Sequence, residues 1–366
     1  MTGGPQTVSF GVAVTAVGPA GMSDSEMYGD MFGDVAFAIE QGFEKLWMIE
    51  HHFSDYFPTA NPLQLLAYIA GRYGDAIDLG TCVIIPPWYQ PLRLAEDIAQ
   101  LRLLTKRPIG IGIGRGTAIL EYERFGIPNM DESRDRFRET YEIVHKALTE
   151  DTITYEGRYL SVPKPTRLRP KVDPAGITFY GAVGSTPTSA EIMADMGLPI
   201  MCSSFGDFDK QAEIVRLWKA RAAQNGMDPA AHLTPIMVNC IVADTDAEAV
   251  AEAQEFIPKF MQAQLDHYEG EGEHLRILET YSAWRGIFEG MKKRCDPANI
   301  PPWTKGQLIG SPETVIAQTK RFVEAGYNHI FLQTATPGVP PEPRRRWQKR
   351  FMEEVVPHLE LAPEPA

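Results

Sequence analysis

The sequence predicts an α/β protein built as a (β/α)8 TIM barrel, in a single domain that spans residues 1–366. Eight short apolar runs alternate with longer segments of helical period, and this order is typical of a barrel rather than of a doubly wound sheet. The 366 residues can form such a barrel, which usually needs about 250 residues, and leave room for insertions. A hydrophobic content of 44% can supply a large core.

The predicted strands are short apolar runs that often contain valine and isoleucine, which favour extended structure. They cover residues 8–15, 45–50, 77–85, 109–114, 177–183, 199–203, 233–243 and 330–334. The predicted helices have apolar residues three or four positions apart, so that one face can pack on the sheet. They cover residues 27–41, 92–104, 132–148, 189–196, 208–225, 245–265, 312–325 and 343–356.

Two segments are longer than the connections that a (β/α)8 barrel requires. Residues 151–171 predict a small hairpin before the fifth strand, and residues 267–305 form a charged, partly helical insertion. Long insertions in compact domains usually act as lids or as connectors. The second insertion contains Tyr281, Trp284, Phe288 and Trp303. These aromatic side chains favour an active-site lid, and a dimer arm or an exposed decoration is the alternative.

Composition excludes several classes of function. The formal net charge of −13 disfavours nucleic acid and anionic membranes as partners. The four cysteines are far apart and lack zinc-site spacing, so we expect reduced thiols. No signal peptide and no apolar run of about 20 residues is present. We therefore expect a cytoplasmic protein.

Three polar residues, Glu50, His51 and His52, follow the second predicted strand. Active sites of such barrels form at the carboxyl ends of the strands. Neighbouring imidazoles on an extended chain point to opposite faces, so this pair is poorly placed to chelate a metal, and we expect no metal site. We expect one histidine to serve proton chemistry or cofactor contact and the other to serve structure or substrate. A hydrogen-bonded packing role is the alternative for each.

The fourth predicted strand alternates glycine with isoleucine and ends at Gly114. Its bare face allows a flat ligand or a neighbouring backbone to approach closely. The glycine spacing does not match the dinucleotide fingerprint G-x-G-x-x-G. Arg115 follows at once, where a guanidinium could bind phosphate. A surface ion pair with a carboxylate near Glu121 is the alternative.

A second phosphate-binding feature follows the fifth strand. Thr186 and Pro187 mark a helix start, and Ser185 and Ser189 add hydroxyl groups beside it. A helix amino terminus with hydroxyl donors suits a phosphate, although ordinary capping is the alternative. The combination with Arg115 makes a phosphate site plausible.

Several separated motifs, in order, resemble the bacterial-luciferase-like family of flavin-dependent monooxygenases. They are IEHHF at 49–53, LGT at 79–81, PLRLAE at 91–96, GIGRG at 112–116, GLP at 197–199 and GSPE at 310–313. The resemblance runs from the first strand to the last helix. It implies a homodimeric barrel that binds reduced FMN supplied by a separate flavin reductase. It further implies that O2 adds to the flavin and that the resulting flavin peroxide inserts one oxygen atom into an organic substrate.

The resemblance also implies roles for individual residues. His51 matches the catalytic histidine, residues 82–83 match a non-proline cis peptide against the flavin ring, and 267–305 matches the mobile lid. The implied cofactor contacts are Glu50, Thr81, Cys82, Val83, Gly114, Arg115, Val183, Ser185, Thr186 and Ser189. The expected substrate contacts are His52, Phe53, Trp88 and Tyr89. Their aromatic character suggests a largely apolar substrate, with loop packing as the alternative.

Two other functions stay open. One is a deazaflavin-dependent oxidoreductase on the same barrel, which moves a hydride without oxygen. The other is a non-catalytic partner subunit of a luciferase-like heterodimer. The pair His51 and His52 favours the monooxygenase over the first, and the retained phosphate-site residues argue against the second.

Overall fold

The strands of the described residues alternate with helices along the chain. A computed structural model describes residues 8–127, 129–184, 186–205, 207–270, 274, 278, 281 and 284–359. The strands in these residues are β1 Ser9–Val14, β2 Lys45–Met48, β3 Asp78–Ile84, β4 Ile109–Ile113, β5 Ile153–Glu156, β6 Ser161–Thr166, β7 Ile177–Val183, β8 Ile200–Ser203, β9 Pro235–Val242, β10 Leu308–Gly310 and β11 His329–Gln333.

Eight of the described strands close into a parallel barrel. The order of pairing is β1, β2, β3, β4, β7, β8, β9 and β11, and β11 pairs again with β1. Each of the eight predicted strands overlaps one barrel strand, with ends that differ by a few residues. The predicted (β/α)8 fold is confirmed.

Helices surround the barrel, and several of them begin after a residue whose side chain caps them. They are α1 Asp24–Glu40, α2 Pro62–Tyr73, α3 Pro91–Leu104, α4 Ile119–Arg124, α5 Ser133–Thr149, α6 Pro187–Asp195, α7 Phe208–Gln224, α8 Asp246–His267, α9 Trp284–Arg294, α10 Ile300–Thr304, α11 Pro312–Glu324 and α12 Pro341–Arg350. Capping boxes at Ser23 and Thr245 satisfy amide groups at the starts of α1 and α8. None of the described helices has the length and apolar character that crossing a bilayer requires.

Short elements were missed by the sequence analysis. β10 has three residues and pairs with β9 outside the closed barrel. α4 has six residues, fewer than two helical turns. Elements of this length carry too little periodicity to be recognised from a single sequence.

The predicted excursion before the fifth barrel strand contains an antiparallel hairpin of β5 and β6. Its turn is held by Glu139 of α5, whose carboxylate accepts hydrogen bonds from the amides of Arg158, Tyr159 and Leu160 at 2.8–3.0 Å. A buried carboxylate with three backbone donors is well satisfied. The hairpin is thereby fixed to α5 and stays outside the barrel ladder.

The barrel interior below the carboxyl-terminal rim is filled by Trp47. A Cβ at Gly80 or Gly110 would lie 2.5 or 2.9 Å from atoms of its ring, so both strands need glycine there. The Trp47 indole donates to His329 Nε2 at 2.9 Å. Burial and nearby Lys45 lower the pKa of His329 to about 3, so this imidazole is neutral and acts as a packing group.

A buried ion pair joins the two ends of the chain. Asp34 of α1 lies 2.7 Å from both Arg344 and Arg345 of α12. The Arg344 side chain is fully buried, and it also donates to the carbonyl of Val17 at 3.1 Å. The pair therefore fixes the last helix against the first.

We expect Asp34→Ala to lower the free energy of unfolding by about 3–5 kcal/mol, because Arg344 would remain as a buried charge without its partner. Urea unfolding followed by circular dichroism measures the loss. Asp195→Ala, which removes the partner of Arg221 in an exposed pair, is the control and should cost much less. Equal losses in the two variants would contradict a special role for the buried pair.

Candidate active site

The carboxyl ends of the barrel strands surround a cavity of about 680 Å³. This volume falls in the range of sites that bind small molecules and cofactors. The predicted site residues that line it are Glu50, His51, Cys82, Val83, Trp88, Gly114, Arg115, Val183, Thr186 and Ser189. Four others, His52, Phe53, Thr81 and Tyr89, are not among its lining residues, and Ser185 lies outside the described residues.

His51 lies just beyond the end of β2, at the wall of the cavity. Its Nδ1 is 3.3 Å from Glu121 Oε1, and its Nε2 is 3.3 Å from the hydroxyl of Tyr268. An ionised carboxylate only accepts hydrogen bonds, so Nδ1 carries the proton. Nε2 is left to exchange a proton on the side of Tyr268, which also lines the cavity.

Charge around His51 is set by the buried Glu121. Burial alone would raise the pKa of Glu121, but hydrogen bonds from His267 and His51 outweigh it and lower the pKa to about 2. Glu121 is therefore ionised at neutral pH. Burial lowers the pKa of His51 below its ordinary value, and the hydrogen bond and charge of Glu121 partly oppose this.

Glu50 organises a second polar group that includes His52. Its carboxylate accepts from His52 Nε2 at 2.9 Å, from the Tyr89 hydroxyl at 2.9 Å and from the Ile85 amide at 3.2 Å. Burial raises the pKa of Glu50, and the hydrogen bonds from His52 and Tyr89 oppose that rise. The two histidines thus have different carboxylate partners. His52 and Tyr89 hold Glu50, and their expected contact with substrate stays a prediction.

One wall of the cavity is made by β3 and β4. The peptide bond between Cys82 and Val83 is cis, so this prediction is confirmed. A Cβ at Gly112 would lie 2.2 Å from the carbonyl of Thr81, and one at Gly114 would lie 2.8 Å from Val83. The glycines of β4 therefore admit the neighbouring strand, and Thr81 donates to the carbonyl of Gly112 at 3.0 Å. Thr81 supports the wall from behind.

Another part of the cavity is cationic and rich in hydroxyls. Arg115 stacks 4.1 Å from the ring centre of Tyr281, and Arg134 also lines the cavity. Thr186 and Ser189 flank the start of α6, with their hydroxyl oxygens 2.6 Å apart. The positive end of a helix dipole and two guanidinium groups favour an anion here.

The residues of this site that the sequence analysis missed include Glu121, Arg134, His267 and Tyr268. Each lies on or next to a helix rather than at the end of a strand, so no strand-end argument selects it. We considered Glu121 only as an ion-pair partner for Arg115, whereas it binds the histidines. Three possible ligand atoms, one each from His51, Glu121 and His267, lie within 4.8 Å of one another. Such a group could hold a metal ion. The expected absence of metal rested on His51 and His52 and overlooked this group.

Aromatic residues form the rim of the cavity. Trp88 lines the cavity and stacks on Phe125 with ring centres 5.3 Å apart. Phe53 is 54% exposed and lies outside the cavity lining. Its ring centre is 5.2 Å from that of Phe125. Trp284 and Ile287 of α9, in the predicted lid at 267–305, also line the cavity. Parts of that segment lie outside the described residues, and its action as a lid stays a prediction.

Comparison with known proteins identifies the family. The sequence profile described as luciferase-like monooxygenase matches residues 8–329. The chain belongs to this family. The alkanal monooxygenase alpha chain of Aliivibrio fischeri is 27% identical over 87% of this chain and 89% of that protein. Uncharacterized protein y4vJ of Sinorhizobium fredii is 36% identical over 129 residues, which cover 35% of this chain and 36% of that protein.

Structural comparison agrees with the family. Monooxygenase RslO1 from Streptomyces bottropensis superimposes with a TM-score of 0.77 at 25% identity, over 96% of this chain and 99% of that chain. The family resemblance and the class of enzyme predicted from the sequence, a flavin-dependent oxidoreductase, are thereby confirmed. F420-dependent glucose-6-phosphate dehydrogenase of Amycolatopsis mediterranei is 24% identical over 88% of this chain and 92% of that protein. At least one relative is thus named as dependent on F420.

We expect Glu121→Gln to lower the pKa of His51 further. The carboxylate charge that raises this pKa is lost, while burial still disfavours the imidazolium. A pH titration by NMR of the histidine-labelled chain measures the change. Glu123→Gln, an exposed carboxylate on the same helix, is the matched control and should leave His51 unchanged. An unchanged or higher His51 pKa in Glu121→Gln would contradict this account.

Proposed function

We propose that this protein is the oxygenase of a two-component, reduced-FMN-dependent monooxygenase. It uses O2 to insert one oxygen atom into a largely apolar organic substrate. The observation that carries the proposal is one cavity that has His51 on one wall and Arg115 with the α6 start at another. A proton donor and an anion site are thus within reach of one bound molecule.

The residues present fit FMN. A phosphate monoester carries nearly two negative charges at neutral pH, which suits Arg115 and Arg134 together with the hydroxyls at the start of α6. Arginine remains charged even when burial lowers its pKa, as it does for Arg115. Cys82, Val83, Gly114 and Val183 supply a wall with few polar side chains, suited to a flat ring.

Reduced FMN, when bound, supplies the electrons that activate O2. The chain contributes a controlled proton and a dry site. His51 can hold a proton at Nε2 while Glu121 fixes its Nδ1. Phe57, Phe205 and Phe331 are among the apolar residues that line the cavity and limit access of water. Trp284 of the proposed lid at 267–305 covers part of the same cavity.

The partners follow from this proposal. A separate flavin reductase supplies reduced FMN, and an organic substrate and O2 complete the reaction. The chain itself contains residues for the flavin and the proton donor in one cavity, which argues against a non-catalytic partner subunit. We propose a homodimer as the assembly.

The alternative cofactor is a deazaflavin of the F420 type, because a relative of this chain is F420-dependent. The test is anaerobic titration of the full chain with reduced FMN and with reduced F420. It is followed by exposure to isotopically labelled O2 and a panel of apolar aldehydes and ketones. We expect tight binding of reduced FMN and labelled oxygen in a product. Tight binding of F420 alone, with no labelled product, would overturn the proposal.

In the same assay, His51→Ala should bind reduced FMN nearly as well as wild type. It should lose about 10²–10⁴-fold in the rate of labelled product formation, because general acid–base help is removed. His145→Ala, which removes an exposed histidine of α5, is the control and should behave as wild type. Unchanged product formation in His51→Ala would remove His51 from the mechanism.

Arg115→Ala should weaken FMN binding by about 1.5–3 kcal/mol, because a charge-assisted hydrogen bond to phosphate is lost. This corresponds to roughly a tenfold to hundredfold higher Kd. Riboflavin lacks the phosphate, so its affinity should not change. Arg138→Ala, an exposed arginine on α5, is the matched control. Equal losses for FMN and riboflavin would show that Arg115 does not bind the phosphate.

A further inference from the structure

We propose that His267 is a positioning residue that shares the Glu121 carboxylate with His51 and thereby controls the proton that His51 carries. The inference deepens the function proposed above and rests on it for the catalytic use of that proton. His267 is the last residue of α8 and is 2% exposed. It is remote in sequence from both of the other groups.

The geometry places two hydrogen-bond donors and the imidazole of His267 around one buried oxygen. Glu121 Oε1 lies 2.7 Å from the amide nitrogen of His52, 3.3 Å from Nδ1 of His51 and 3.4 Å from Nε2 of His267. Glu121 is 1% exposed, so no bulk water competes for this oxygen. The rings of His51 and His267 are 4.7 Å apart and nearly perpendicular, so each can aim one nitrogen at the carboxylate.

The protonated nitrogen of His267 can be assigned from its other neighbour. Its Nδ1 lies 2.7 Å from Ser54 Oγ, and that oxygen accepts a hydrogen bond from the Tyr56 amide at 3.3 Å. The Ser54 hydroxyl is therefore able to donate to Nδ1. Nε2 faces the ionised carboxylate of Glu121, which only accepts, so the hydrogen of neutral His267 lies on Nε2 and Nδ1 accepts from Ser54. Ser54 thus selects the tautomer that competes with His51.

Sharing has an electrostatic consequence. One carboxylate charge can balance one imidazolium, so protonating both His51 and His267 would leave an excess positive charge in a buried site. The titratable groups that face His51 are Glu121, His52, His267, Tyr56 and Tyr268. Of these, Glu121 favours the protonated form of His51, and His267 and His52 disfavour it. Losing His267 should therefore favour protonation of His51.

The same three residues could in principle hold a metal ion. The hydrogen-bond pattern favours the shared proton instead, because both nitrogens that face Glu121 are the ones assigned a hydrogen. A metal would need lone pairs at both positions. Glu121 Oε1 is also already engaged by the His52 amide.

The test uses the full chain labelled at histidine, without flavin, and measures the pKa and tautomer of His51 by NMR. In His267→Gln we expect the His51 pKa to rise by about 0.5–1 unit, because a side chain that cannot take up a proton replaces the second imidazole. Glu121→Gln shifts it in the opposite direction. A role for His267 in packing alone would not produce shifts of opposite sign. His145→Gln, on the surface of α5, is the control and should leave His51 unchanged.

Ser54→Ala gives a second route if His267→Gln fails to fold. It frees Nδ1 of His267 to carry the proton, which should produce a smaller rise of the His51 pKa. An unchanged or lower His51 pKa in a folded His267→Gln or Ser54→Ala variant would overturn the inference. About one equivalent of divalent metal in the purified chain, lost in His267→Gln, would also overturn it.

The outcome for the proposed function is read separately. In His267→Gln, the apparent pKa in the pH profile of labelled product formation should rise together with the His51 pKa. A shift of the His51 pKa in a chain that forms no labelled product would sustain the sharing of Glu121 and reject the monooxygenase function. Labelled product without a shift of the His51 pKa would sustain the monooxygenase function and reject the sharing of Glu121.

Discussion

The arrangement of the site depends on one buried carboxylate. Glu121 is buried, and it remains ionised because His51 and the backbone amide of His52 form hydrogen bonds to it and the imidazole of His267 lies beside it. Those contacts join the end of β2 to α4 and to the end of α8, three elements that are distant in sequence. The orientation of His51 toward the cavity follows from this one charge. A neutral side chain of the same shape would hold the ring less firmly, since charged acceptors form the stronger hydrogen bonds.

The barrel itself could be predicted because its elements repeat and each leaves a local pattern. Each of the eight apolar runs forms a buried strand. The pair Thr186 and Pro187 marks the start of α6. The end of β2 could be chosen as a candidate site because Glu50, His51 and His52 are polar where a strand should end apolar. The cis peptide bond between Cys82 and Val83 was predicted from the family resemblance, because local composition does not distinguish a cis bond from a trans bond.

What could not be predicted are the contacts between distant elements. Glu121 lies on a helix of six residues, and His267 lies at the end of a long helix where a histidine is ordinary. Arg134 is one of several arginines at the start of α5. Only the closed barrel brings Glu121 and Arg134 to one cavity and places His267 against Glu121. The glycines of β4 are a further example. Their pattern predicted a face without side chains, but the sequence could not predict that Trp47 and the backbone of β3 occupy that face.

The upper part of β9 leaves the cylinder. Residues up to Asn239 pair with β11, and β8 pairs only as far as Met237, whereas Cys240–Val242 pair with β10 instead. The rim therefore has a seam between β8 and β9, beside Phe205 and Met237 of the cavity lining. Gln307, which precedes β10, bridges this seam, because its side chain hydrogen-bonds to Ser204 and to Asn239. At this point of the rim the two strands are therefore joined by one amide side chain from outside the barrel.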